Sequence, residues 1–121
     1  MAYILDAGAL VAIDRDDQTI HRLLGSAMVR RTSCAVVSQV WREGAKQARL
    51  ALALKGVEIV PLDGEVDRRI GELLRESGVS DVVDGHVALL ARPGDRIVTS
   101  DPDDLGRLLE ARSVRADIHR I

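Results

Sequence analysis

The sequence predicts an α/β fold, a parallel sheet of about five strands with helices on both faces. Three observations carry this. Short apolar runs recur without polar alternation, as strands buried on both faces require. Segments of helical character separate them, opening on Asp or Ser and ending on Gly or Pro. A chain of 121 residues can bury one core but not two, so a single domain over 1–121 is expected.

Taken in order, Met1–Leu5 reads as the first strand and ends at Asp6, and Ala7–Ile13 follows as a helix. Asp14–Asp17 is a polar break in which Asp16 or Asp17 caps a helix over Gln18–Ser26. Ser33–Val37, apolar and β-branched, reads as the second strand. Ser38 then caps a long helix to Leu54, with Gly56 as its stop. Val57–Val60 is the third strand, closed by Pro61. Asp63 caps a helix to Glu76, stopped by Gly78, and Ser80 or Asp81 opens another to Ala91, ended by Pro93-Gly94. Arg96–Thr99 is the fourth strand. Asp101-Pro102 opens a helix to Ala111, with Pro at the favoured first position. Ser113–Ile118 is the last strand.

Composition narrows the function classes. With 17 basic against 19 acidic side chains and a net charge of −2, the chain does not hold nucleic acid by bulk attraction. Aromatic residues are limited to Tyr3 and Trp41, too few for a platform that stacks bases. The lone Cys34 excludes an internal disulfide and a Cys/His zinc site, and reads as a small buried hydrophobe. No apolar run approaches the ~20 residues of a membrane span, and the first residues lack the pattern of a signal peptide. A cytoplasmic protein without membrane contact is the expectation. The acids are mainly Asp, a poor helix former. Caps and turns absorb some of them; a carboxylate site would absorb others.

Sheets of this kind bind ligands outside the carboxyl ends of their strands. Asp6 and Asp101 each follow a predicted strand directly. Asp6 is either a helix cap or a site residue. In Ser80-Asp81-Val82-Val83-Asp84-Gly85-His86 the two acids are three apart, on neighbouring positions of one helix face. Asp81 reads as a cap, whereas Asp84 lies one turn in and has no capping role to explain it. Asp101, Asp103 and Asp104 crowd a helix start, where the dipole favours acids. If Asp6, Asp84 and Asp101 converge, their pKa values rise or a divalent cation sits among them. Oxygen ligands without Cys or a His pair select Mg²⁺ or Mn²⁺, ions that activate water against a phosphodiester.

Neighbouring residues allow two readings each. Ser100 is a candidate donor beside Asp101. Arg42, Lys46 and Arg49 recur at helical spacing near Trp41, as a phosphate-contacting face or as a solvated one. His86 either packs within its helix or donates to a carboxylate or phosphate. Arg30-Arg31 and Arg68-Arg69 read as surface pairs, and His21 and His119 carry no pattern.

Three segments together resemble the PIN domain, and within it the VapC-type toxin ribonucleases of bacterial toxin–antitoxin pairs. They are Tyr3-Ile4-Leu5-Asp6-Ala7-Gly8-Ala9-Leu10, Ser80-Asp81-Val82-Val83-Asp84-Gly85-His86-Val87-Ala88 and Val98-Thr99-Ser100-Asp101-Pro102-Asp103-Asp104-Leu105. Each is weak alone; their order and separations, over nearly the whole chain, are the specific signal. The resemblance implies a three-layer α/β/α sandwich and an acidic pocket for Mg²⁺ or Mn²⁺. It also implies cleavage of single-stranded regions of structured RNA, leaving a 3′-hydroxyl and a 5′-phosphate. A homodimer and a small VapB-like antitoxin are the implied partners.

By the same resemblance Asp6, Asp84 and Asp101 fall on the family's first, third and fourth acids, and Asp104 on a nearby acid that assists the metal. The chain departs from the pattern twice. Ala7 stands where the family has a hydroxyl residue, a loss that Ser100 can make good. Gln39 stands where the family has a second acid, early in the third helix. Glu43, four residues on, is either a shifted second acid or a surface residue pairing with Lys46 or Gln47. Two rivals follow. One is a PIN fold with an eroded site that only binds RNA or protein. The other, a flavodoxin-like receiver, fails because no Lys follows Lys55.

Overall fold

The computed structural model describes residues 1–25 and 29–121. Five strands form one sheet: β1 (Ala2–Leu5), β2 (Val29–Ser33), β3 (Glu58–Val60), β4 (Arg96–Thr99) and β5 (Asp117–Arg120). Their order is β3-β2-β1-β4-β5 and every pairing is parallel. Burial decides which strand is central. All of β1 is buried, Ile4 and Leu5 completely, as a parallel strand covered on both faces must be. The edge strands carry exposed Glu58, Asp117 and Arg120, charges that discourage pairing with another chain.

Right-handed crossovers place the connections on opposite faces. The chain leaves β1 outward through α1 (Ala7–Asp14) and α2 (Gln18–Leu24), and leaves β2 through α3 (Cys34–Val40) and α4 (Ala48–Leu54). These helices gather around α1. It then crosses back through α5 (Gly64–Ser77) and α6 (Val82–Leu90), and after β4 runs through α7 (Pro102–Arg112). Those three pack on one another, with α6 against β1 and β2. The result is the expected α/β/α sandwich. Its strand order reverses between β1 and β4, and the carboxyl ends there open the crevice in which such sheets take ligands.

Several boundaries differ from expectation. The second strand is Val29–Ser33, not Ser33–Val37, and Cys34–Val37 opens α3. Ser33 Oγ accepts the Ala35 N–H and caps that helix, and Val36 is fully buried from it; packing overrides the β-branched preference. Polar residues disguised the true strand. Thr32 donates to the Leu5 carbonyl. Arg31 is no surface residue: it is 7% exposed, with Nε on Glu58 at 3.1 Å and Nη1 3.7 Å from Asp95. Cys34 is half-buried rather than buried.

The long helix predicted from Ser38 to Leu54 is two helices, broken over Trp41–Gln47. The Gln47 side chain holds the break: it accepts from Arg42 N–H and Glu43 N–H and donates to the Val40 carbonyl. Ser38 lies inside α3 and donates to the Cys34 carbonyl instead of capping. The last strand lies later than expected, at Asp117–Arg120. The expected end of the second helix, Ser26, lies outside the described residues. Capping acids stand as read: Asp17 for α2, Asp63 for α5 and Asp81 for α6. Among the described residues no helix is long and apolar enough to cross a membrane.

Candidate metal centre

The chain puts acids at the β1–β4 crevice through ordinary local rules. Asp6 ends β1 and caps α1, Asp101 follows β4 and begins α7, and Asp84 lies in the first turn of α6. Helix starts favour carboxylates, through free N–H groups and the positive dipole end. Three helix N-termini therefore bring negative charge to one place.

Asp84, Asp101 and Asp104 come together, each offering a carboxylate oxygen within 4.8 Å of the others. Asp84 and Asp104 are half-buried and Asp101 is exposed. Asp6 stands outside this trio and is 7% exposed. Its Oδ1 accepts the Ala7 N–H at 2.8 Å and its Oδ2 accepts the Thr99 hydroxyl at 2.7 Å. Burial pushes the Asp84 carboxyl up to about 7, helped by the charges of Asp81, Asp6, Asp101 and Asp104. All four neighbouring acids thus act on one carboxyl. Asp104 has a partial counter-charge, Arg107, at 3.7 Å.

Thr99 organises the centre, next to Ser100, the expected donor beside Asp101. Its hydroxyl donates to Asp6 and accepts the Asp101 N–H at 3.0 Å, so one buried side chain ties the acids after β1 and β4 together. The available signal was a hydroxyl at the buried end of a strand, which must find partners. Ser100 is exposed and lies against α1: a Cβ on Gly8 would sit 2.6 Å from its Oγ. That close approach requires glycine. A groove of about 500 Å³ runs past Ala7, Gly8 and Ser100, the chain neighbours of Asp6 and Asp101.

The remaining candidates are not members of the trio. Asp81 caps α6 by accepting the Asp84 N–H. Gln39 is exposed in the last turn of α3, not early in its helix. Glu43 lies beyond the end of α3, so it does not share a helix face with Gln39; it is exposed and pairs with Lys46 at 3.6 Å. Arg42 and Lys46 are loop residues and Arg49 belongs to α4, so the three do not form one helical face. Arg42 Nη1 donates to the carbonyls of Ser38 and Trp41. His86 is buried and hydrogen-bonded through Nδ1 to Ser33. Burial lowers its pKa, against opposing charges on Asp63 and Asp67.

The donor set suits a hard divalent cation. It is made of carboxylate oxygens only, and burial together with four neighbouring acids disfavours the charged form of Asp84. Such a cation would relieve the same repulsion that a proton on Asp84 relieves.

No protein-family model matches the chain. No curated protein matches it in sequence. Among solved structures it is similar to a chain in the crystal structure of VapBC2 from Rickettsia felis bound to a DNA fragment from their promoter. The TM-score is 0.66 at 19% identity, over 98% of this chain and 99% of that one. At that identity the likeness establishes the fold, a PIN-like α/β/α sandwich around a five-stranded parallel sheet.

Proposed function

We propose that the chain is a metal-dependent endoribonuclease, the toxin of a toxin–antitoxin pair, cutting single-stranded regions of structured RNA. The observation that carries this is the Asp84–Asp101–Asp104 trio at the strand-order reversal of a PIN-like sheet. Asp84, Asp101 and Asp104 would hold Mg²⁺ or Mn²⁺, with the nearby Asp6 carboxylate fixed by the Ala7 N–H and the Thr99 hydroxyl. The bound ion supplies activation of a water and neutralisation of charge on the phosphate. Burial and the neighbouring acids push the Asp84 carboxyl up to about 7, so a cation held there would compete with a proton. The groove past Gly8 and Ser100 is the path offered to a strand.

The partner in this reading is a small VapB-like antitoxin, in keeping with the VapBC2 complex that the fold resembles. A homodimer and a cytoplasmic setting complete it. Glu43 takes no part, because it lies beyond α3 and is tied to Lys46.

The test is cleavage of labelled structured RNAs with Mg²⁺ or Mn²⁺, beside Asp84→Ala. Discrete cuts that depend on metal and disappear in the variant are expected. An intact RNA with both metals, together with no metal binding by calorimetry, would overturn the enzyme and leave the eroded binding module. That second reading is favoured by α3 itself, Cys34–Val40, which carries no acid where the family has one early in its third helix.

A further inference from the structure

A second charged cavity lies away from the acids, at the carboxyl end of α6. It encloses about 350 Å³ between β2, β3 and the helices α5, α6 and α7. Arg31, Arg69, Arg92 and Arg112 line it, with Glu58 as its one acid. Glu58 is already engaged by Arg31. Among the described residues Arg69, Arg92 and Arg112 have no ion pair (the salt bridges of the fold lie elsewhere).

Ordinary structural roles account for part of this. Arg112 Nη1 donates to the Ala88 and Ala91 carbonyls, at 2.6 and 2.8 Å, and so caps the end of α6. Arg31 locks β2 to β3. Arg69 and Arg92 have no such role. Both are exposed at the rim and converge on the same space. The Arg112 guanidinium has its pKa lowered, chiefly by burial and further by the charge of Arg69. The cavity's one acid, Glu58, is engaged by Arg31.

We propose that this cavity binds a phosphate group, independently of the acidic centre. Guanidinium forks match phosphate oxygens in pairs, and each is charged at any working pH. The cavity has the size of a small-ligand site. The phosphate belongs either to a free phosphorylated compound or to an RNA strand. Nothing in the proposal rests on the nuclease reading.

The experiment is an amide-shift titration of the whole chain in EDTA, with inorganic phosphate in one arm and a short single-stranded RNA in the other. Arg69→Gln/Arg92→Gln is the test variant; both positions are exposed, so its fold is checked by an unchanged Tm. Asp84→Asn is the control for the acidic centre. Saturable shifts at Leu90–Arg92 and Arg112 are expected with inorganic phosphate, weakened ~10-fold in the double variant, a loss of about 1.4 kcal/mol, and unchanged in Asp84→Asn. The same shifts with RNA assign the phosphate to a strand; shifts with inorganic phosphate alone assign it to a free compound. No saturable shift with either probe, or equal affinity in the double variant, overturns the site.

Discussion

The amino end of α6 faces four acids, and its carboxyl end faces three arginines that make no ion pair among the described residues. Each arrangement agrees with the helix dipole, which favours anions at the first turn and cations at the last. The remainder differs once the local partners are counted. At the carboxyl end, Arg112 spends its charge on two backbone carbonyls. At the amino end, Asp81 and Asp6 accept backbone N–H groups, but Asp84 is left to hold a proton up to about pH 7. One end is mainly braced, and the other is poised for a cation.

Asp84→Ala puts the largest expected effect on that contrast. RNA cleavage falls by at least ~100-fold, because a metal ligand is removed, while urea denaturation shows a fold at least as stable. A variant that cuts as well as the parent would erase the difference between the two ends.

Thr99→Val comes next. The valine leaves Asp6 Oδ2 without its donor and the Asp101 N–H without its acceptor. Urea denaturation should show a loss of about 1–3 kcal/mol, the range for buried polar groups left unpaired. Cleavage should fall as well, by ~10-fold, as for a group that orients ligands without touching the metal.

Arg112→Met tests the braced end. It keeps the aliphatic stem but takes a donor from both carbonyls, of which that of Ala88 keeps the Ala91 N–H, so stability falls by roughly 1–2 kcal/mol. At saturating RNA, metal-dependent cleavage keeps its parental rate when measured well below the Tm.

The pH profile separates the ends again. The Asp84 carboxyl is raised from 3.8 to about 7, so between those values the folded state holds a proton that the unfolded chain has released. The resulting stability is fully present below pH 3.8 and is lost as pH rises through about 7. Solvent screening of a half-exposed group reduces it to about 1 kcal/mol. Asp84→Asn should flatten that slope in chemical denaturation without metal. Added Mg²⁺ should oppose the slope in the parent, binding more tightly as pH rises to about 7.

The sequence made the sheet, its centre and three of its acids legible, because fully apolar strands and capping acids are local signals. Asp6 and Asp101 could be placed on the carboxyl edge by chain order alone. What it hid were buried polar residues. Arg31 and Thr32 made β2 look like surface, and their partners Glu58, Asp95 and the Leu5 carbonyl are distant in sequence. Misplacing that strand displaced the following helix cap by five residues, from Ser33 to Ser38, and with it the frame in which Gln39 and Glu43 were compared. The break after α3 was equally hidden, since it is held by one glutamine reaching back over seven residues to Val40. Thr99 was passed over because its two partners meet only when β1 and β4 pair.

The smallest effect is expected where the sequence left most room. Glu43 was a candidate second acid on the assumption of a helix continuing through it. The helix ends at Val40, and the Glu43 carboxylate makes an exposed pair with Lys46. Such pairs contribute ~0.2–1 kcal/mol or nothing measurable. Glu43→Gln should therefore change stability by less than about 0.5 kcal/mol and leave the metal-dependent cleavage rate unchanged. Gln39→Glu is its companion in the same assay, and a gain of activity there would identify the position at which the chain lacks an acid. If Glu43→Gln abolished cleavage, the acidic end of α6 would not be the whole centre, and the loop after α3 would have to close onto it during the reaction.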